Sequence, residues 1–320
     1  MVLLLQYTLL FASILALVAL GGCFSEHSGV INLGLEGIMV MGAMGGALAM
    51  SALQKYQEAS GAMIPAAVVV LAAIGAAILV GTVYSALLGL AAIHFKADQT
   101  LVGTAMNMLG TALSTVVVKS INTAANPDDH SSSVQYTIAR NAFTVNIGSF
   151  SLNWFMIIAL VALVAAFFVL YKTKFGLRLM ACGEHPQAAD SVGINVVKMR
   201  WAGVLISGVL GSLGGICYIT AGVFEWKFEY GVAGFGFLSL AVMIFGSWKP
   251  QKIALAAVIF GFFRALSKVY IGFGFLMDLN IPSGVYNMLP YIVSLVVLAF
   301  TSKNSRAPKA EGIPYDKGAR

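Results

Sequence analysis

The chain has 320 residues, of which 59% are hydrophobic and 10% charged, with a mean hydropathy of +0.88. Soluble domains carry roughly 25% charged residues, so this composition excludes a water-soluble globular protein and calls for burial in a bilayer. The net charge of +6 is spread over loops and the C-terminus and forms no basic face, which argues against nucleic acid as a partner.

Apolar runs at about 3–21, 33–52, 62–94, 100–118, 154–171, 201–220, 232–248, 252–271 and 286–301 each approach or exceed the length that crosses a hydrocarbon core. They predict an all-α integral membrane protein, a polytopic bundle of about nine transmembrane helices with a range of eight to ten. The run at 62–94 would be about 50 Å long as a single helix, so it is expected to be one long tilted span, with Gly81 as the place where it could break. In the first run, LALVALGGC at 15–23 matches a lipoprotein cleavage site at Cys23. No Lys or Arg precedes it, and the run is expected to remain as the first span.

Residues 21–37 place Glu26, His27, Asn32 and Glu36 beside five glycines. Ionisable groups inside a membrane are costly and face a pathway or a partner, unless, as is open for Glu26 and His27, they sit at the interface. Asn32 and Glu36 are four apart and share a helical face. In the fourth run Thr104, Asn107, Thr111 and Ser114 form a polar stripe that either lines a solute path or bonds to a neighbouring helix. The 119–153 interval is read as an external loop.

The one long polar interval with cations on both flanks is 172–200, with Lys172, Lys174 and Arg178 before it and Lys198 and Arg200 after. That asymmetry marks a cytoplasmic loop. Its interior reads as a short helix, with Pro186 at a first helical position and Gly193 as its stop. With this loop inside, nine spans put the N-terminus outside and the C-terminus in the cytoplasm. Cys182 and His185 are two potential ligands and do not make a metal site, and Cys23, Cys182 and Cys217 form no disulfide framework. The stretch at 231–248, with Gly231, Gly234 and Gly236 where the span begins, lacks the Lys-Ser/Thr of a phosphate-binding loop and is read as close helix packing or a hinge. Arg264, four residues before Lys268, lies deep enough to need a partner. No nucleotide-hydrolysing motif occurs in the chain, so uphill transport would need energy from another subunit, entering at the 186–192 helix.

Four segments carry a resemblance: SGVINLGLEGIMVMGA at 28–43, FGLRLMACGEHPQAADSVGINV at 175–196, GVAGFGFLSLAVMIFGSWKP at 231–250 and MLPYIVSLVVLAF at 288–300. Together they resemble the permease subunits of bacterial ABC importers for branched-chain amino acids, ribose and nucleosides, with the LEG form nearest the nucleoside and simple-sugar branch. His185 and Met180 stand where the family more often has Asn and Ala, and the NPDDHSSS loop at 126–133 has no counterpart there.

The resemblance implies a transport subunit and not an enzyme, in the plasma or inner membrane, passing nucleosides into the cytoplasm. Simple sugars or branched-chain amino acids are the alternative solutes, and an ATP-independent secondary transporter is the alternative mechanism. Residues 1–302 would be the transmembrane permease domain, with a coupling loop at 172–200, and 303–320 a disordered cytoplasmic tail. The implied partners are an ATPase that binds ATP and Mg, a second permease forming a heterodimer, an extracytoplasmic substrate-binding lipoprotein and membrane lipid, with no cofactor or metal in this chain. Gly183, Glu184, His185, Pro186, Ala188, Ala189, Asp190 and Gly193 would couple to the ATPase, Glu184 and Asp190 by polar contact and Ala188 and Ala189 by close packing. Asn32, Glu36, Asn107, Phe235 and Phe237 are the candidates for the solute path.

Overall fold

The computed structural model describes residues 1–221, 225–273, 282–301 and 307–318. Lys303, Arg306 and Arg320 of the expected cytoplasmic tail lie outside the described residues.

Helices dominate because a chain this apolar must satisfy its backbone hydrogen bonds internally. In chain order they are α1 (Val2–His27), α2 (Leu35–Ser60), α3 (Ala66–Gly89), α4 (Gln99–Ala125), the single turn α5 (Thr137–Arg140), α6 (Trp154–Lys172), α7 (Lys174–Glu184), α8 (Pro186–Ser191), α9 (Val196–Thr220), α10 (Phe235–Phe245), α11 (Pro250–Val269) and α12 (Ser283–Thr301). Eight helical stretches among the described residues are long and apolar enough to cross a membrane, and α12 adds a further apolar helix of 19 residues. Local chemistry sets several of the starts. The side chains of Asp98, Asn153, Thr173 and Asn195 accept from the first-turn amides of α4, α6, α7 and α9.

The centre of the bundle is α1, α2 and α9, with α1 packing on α9, α10 and α11 and α2 on α3, α4 and α9. The outer helices expose large apolar side chains, such as Leu71, Leu79 and Val83 of α3 and Leu160, Val161 and Phe168 of α6. Such faces are stable against lipid and not against water. Close crossings rely on glycine: a Cβ on Gly37 would collide with the Met106 carbonyl, and one on Gly110 with the Gly37 backbone, so α2 and α4 touch through their main chains.

One expectation is corrected here. The third span does not break at Gly81, which packs against Ser212 of α9, and its irregular part is a π-helical turn at Leu90–His94. The expected 232–248 span is found within the apolar helical stretch Phe228–Phe245, which begins with a 3-10 turn at Phe228–Tyr230 and continues as the 11-residue α10.

The 119–153 interval is more ordered than a plain loop. Strand β1 (Ser133–Gln135) pairs antiparallel with a later strand, Glu225–Lys227, in the register Val134 to Trp226. Between them in sequence, β2 (Thr144–Ile147) and β3 (Phe150–Asn153) form a hairpin, which makes Glu225–Lys227 β4. The β1–β4 pair ties this interval to the approach to α10, and a Lys119–Glu229 ion pair at 2.8 Å lies beside it.

Candidate functional site

The expected short helix forms at one end of the bundle. Thr173 starts α7, Pro186 interrupts it and takes the first position of α8, and Gly193, at φ +83°, ends α8. The amide of Ile194 donates to Ala189 O at 3.1 Å and that of Gly193 to Asp190 O at 2.9 Å, closing the helix end. Ala189 packs with Cys182 and Val196 in a small apolar cluster of the chain's own, and Gly183 and Pro186 are buried as well.

The expectation that Ala188 and Ala189 form one docking face is therefore corrected: successive residues of a helix point about 100° apart, and only Ala188 faces outward. Glu184, His185 and Gly193 are exposed, and Asp190 is half-buried with Lys317 Nζ at 3.9 Å. Sequence reading passed over Val192, which is 76% exposed. A bulky apolar residue just before a helix-stopping glycine was the available signal.

The tail, expected to be disordered, is packed over residues 307–318. The amide of Ala310 donates to the carbonyl of Gly183 at 2.8 Å. The ring of Tyr315 lies 5.9 Å from the guanidinium of the buried Arg200, and Asp316 pairs with Lys96 at 3.1 Å. Glu311 turns its carboxyl toward Glu26, and burial pushes its pKa up to about 7. A low-hydropathy segment is held here by backbone bonding and one aromatic anchor, which composition does not reveal.

Deeper in the bundle the polar residues of the 21–37 segment are engaged. Glu26 accepts from the indole N–H of Trp248, and the carbonyl of Trp248 lies 3.0 Å from His27 Nε2 and 3.2 Å from Cys23 Sγ, so the α10–α11 corner is clamped to the end of α1. Asn32 donates to Ser207 Oγ at 2.7 Å and accepts from the amide of Gly34. Asn107 accepts from the amide of Gly37 at 2.8 Å and donates to Leu33 O at 2.8 Å. The other members of the α4 stripe, Thr104, Thr111 and Ser114, bond to carbonyls of their own helix.

Glu36 accepts from the amides of Gly234 at 2.8 Å and Gly236 at 2.6 Å, at the N-terminus of α10. A helix whose start is buried leaves its first amides orphaned, and a carboxyl group aimed at them answers both the hydrogen bonds and the helix dipole. Of the five solute-path candidates, the structure brings Glu36 and Phe235 together there. It holds Asn32 and Asn107 in the packing around the start of α2 and leaves Phe237 53% exposed on the outer side of α10. Arg264, expected to find a partner, lies over the Phe235 ring at 5.2 Å.

A multi-pass body of apolar, membrane-length helices with a short helix exposed at one end is the architecture of an integral membrane protein. Residues 4–301 match the family model described as branched-chain amino acid transport system / permease component.

The guanosine ABC transporter permease protein NupQ of Bacillus subtilis (strain 168) is 39% identical over 319 residues, covering 98% of this chain and 96% of the relative. The nucleoside ABC transporter permease protein NupC of Lactococcus lactis subsp. cremoris (strain MG1363) is 36% identical over 317 residues, covering 97% and 95%. A second Bacillus subtilis protein, the guanosine ABC transporter permease protein NupP, is 24% identical over 299 residues, covering 92% and 80%. The chain belongs to the branched-chain amino acid transport system permease family, and is an ABC transporter permease subunit and not an enzyme.

Proposed function

We propose that this chain moves nucleosides into the cytoplasm as one half of a heterodimeric pore. The observation that carries the reading is whole-length similarity to two permeases named for guanosine and nucleoside transport. In Bacillus subtilis two proteins of unequal similarity to this chain carry the same solute in their names, which supports a sister permease as the other half.

Energy enters through α8. Its exposed neighbours Glu184 and His185 and its own Ala188 face an ATPase subunit that binds ATP and Mg, while Gly183, Pro186 and Ala189 are buried against the bundle, Asp190 meets Lys317 of the tail and Gly193 ends the helix. Closure of the ATPase pair on ATP drags α8, and α7 and α9 pass the movement to the central helices. The access of the pore thereby changes from outside to inside. In this orientation the N-terminus is outside, the C-terminus inside, and an extracytoplasmic binding lipoprotein delivers the solute. Phe235 and Phe237 supply aromatic surface at the start of α10, Glu36 holds that start in place, and Asn32 and Asn107 fix the start of α2 from which Glu36 reaches it.

The test is uptake by proteoliposomes containing this chain, its sister permease and the ATPase, with binding protein outside. ATP-dependent accumulation of labelled guanosine, undiminished by excess ribose or leucine, is the expected result. Accumulation of guanosine by this chain alone without ATP would replace the mechanism with secondary transport, and accumulation of only ribose or leucine would replace the solute.

A further inference from the structure

Residues 310–317 of the tail touch two groups of elements at the end of the bundle that carries α8. On the side of α8, the amide of Ala310 donates to the Gly183 carbonyl in the last turn of α7, and Lys317 Nζ lies 3.9 Å from Asp190. On the other side, Asp316 pairs with Lys96, between α3 and α4, at 3.1 Å. Asp316 and Lys317 are adjacent in sequence, so a single step of chain ties α8 to the α3–α4 connection.

The turn between α1 and α2 receives the same segment. A Cβ on Gly312 would stand 2.8 Å from Ile31 Cδ1, and one on Gly29 2.9 Å from Arg200 Nη2 and 3.4 Å from the Ala310 carbonyl. Both positions therefore need glycine for the tail to seat. Lys96 is itself an irregular joint. Its φ is +52°, a left-handed backbone that residues with a side chain rarely adopt, and it follows the π-helical turn at Leu90–His94.

The grip of this seam is weak for its extent. Its two ion pairs involve solvent-exposed side chains, and such pairs contribute little individually. The Arg200 guanidinium, 5.9 Å from the Tyr315 ring, is at the outer limit of a cation–π contact. Docking also buries groups that it does not satisfy: Arg200 is 1% exposed, yet its Nε and Nη2 have no hydrogen-bond partner among the described residues, and neither has Glu311 Oε2 beside the Glu26 carboxyl. Unpaired buried groups oppose the docked state, and release returns them to water. A permanent brace would be built the other way, with its charges paired.

We infer that the tail is a releasable latch, which in its docked position restrains α8 against the α3–α4 connection and the α1–α2 turn, and must let go for α8 to make its full movement. The inference rests on the reading that energy enters through α8. Tail release would then set how readily ATP hydrolysis is turned into movement of the bundle, while Glu184, His185 and Ala188 stay open to the ATPase whether the tail is docked or free.

The experiment closes the latch and opens it in the assembled complex of both permeases and the ATPase, reconstituted in lipid, with ATP hydrolysis as the readout. Lys96→Cys with Asp316→Cys is bridged by a bifunctional methanethiosulfonate, each single substitution treated alike serving as control, since the three native cysteines are buried. A covalent tie at one contact holds the tail at its seat, and should cut hydrolysis about ten-fold, with full recovery on adding reductant. Asp316→Lys, which sets like charges together, and Tyr315→Ala should each raise hydrolysis about three-fold without any cross-linker. Elution of each variant as an assembled complex shows that the fold survives.

Unchanged hydrolysis after bridging, or slower hydrolysis in the two opening variants, overturns the latch. If bridging has no effect while Ala188→Arg strips the ATPase from the complex, the latch fails and the reading of α8 stands. Retention of the ATPase by Ala188→Arg defeats that reading, and the latch with it.

Discussion

Glu36, on the first turn of α2, accepts a hydrogen bond from the amide of Gly236, 200 residues away in sequence, at 2.6 Å. With the Gly234 bond, this cross-link sets where the half-helix α10 begins, and therefore where Phe235 meets the ring of Tyr218. Glu36→Gln leaves one oxygen to accept and places an amide donor against a backbone donor. A hydrogen bond to a charged acceptor is worth about 1.5–3 kcal/mol, and the variant is expected to lose an amount of that order. Thermal unfolding in detergent measures it. An unchanged melting temperature would show that the bond is dispensable.

Adjacent alanines of α8 should respond in opposite ways. Ala189→Arg puts a long charged side chain into the cluster with Cys182 and Val196, and overpacking there should lower stability by several kcal/mol. Ala188→Arg changes an exposed position, where stability normally moves by no more than about 0.5 kcal/mol. It is nevertheless expected to abolish co-purification of the ATPase subunit. Normal ATPase retention in Ala188→Arg would place the contact elsewhere.

Thiol labelling reads the same surface. Cys182 is fully buried, and burial pushes its thiol up to about 11, so the reactive thiolate is scarce at neutral pH. It should stay unlabelled from either side of the membrane. A thiol introduced by Val192→Cys, at a position 76% exposed, should label quickly in inverted vesicles and not in intact cells. The reverse pattern would invert the proposed orientation.

The tail should loosen as pH rises. Glu311 is buried against Glu26, and its folded-state pKa of about 7 lies above the ordinary carboxyl value of 4.5. The docked tail therefore holds a proton that the undocked tail has released. Docking is fully favoured below about 4.5, weakens through the window from there to about 7, and changes little above it. Allowing for the solvent-exposed part of the group, the loss is on the order of 1–2 kcal/mol. Amide exchange at Ala310, whose N–H is held by Gly183, should rise across that window. In Glu311→Gln the rise beyond the intrinsic pH dependence of exchange should disappear. A persistent excess would assign the transition to another group.

The sequence by itself determined the membrane class, the spans and the short helix that opens at Pro186. Bilayer thickness sets the length of an apolar run, and Pro186 and Gly193 act on their own backbone. The family was legible too, because its segments keep their residues in local order. Tertiary structure alone decided which groups meet. Glu36 and Asn107 look from sequence like polar residues awaiting a solute, yet their oxygens are taken by the amides of Gly234, Gly236 and Gly37. Whether α8 shows Ala188 or Ala189 depends on Cys182 and Val196 behind it, and the order of the tail on the Gly183 carbonyl. A cavity lined by aromatic rings draws Tyr7, Tyr218, Trp226, Phe235 and Arg264 from five separate stretches, and only folding brings them within reach of one another.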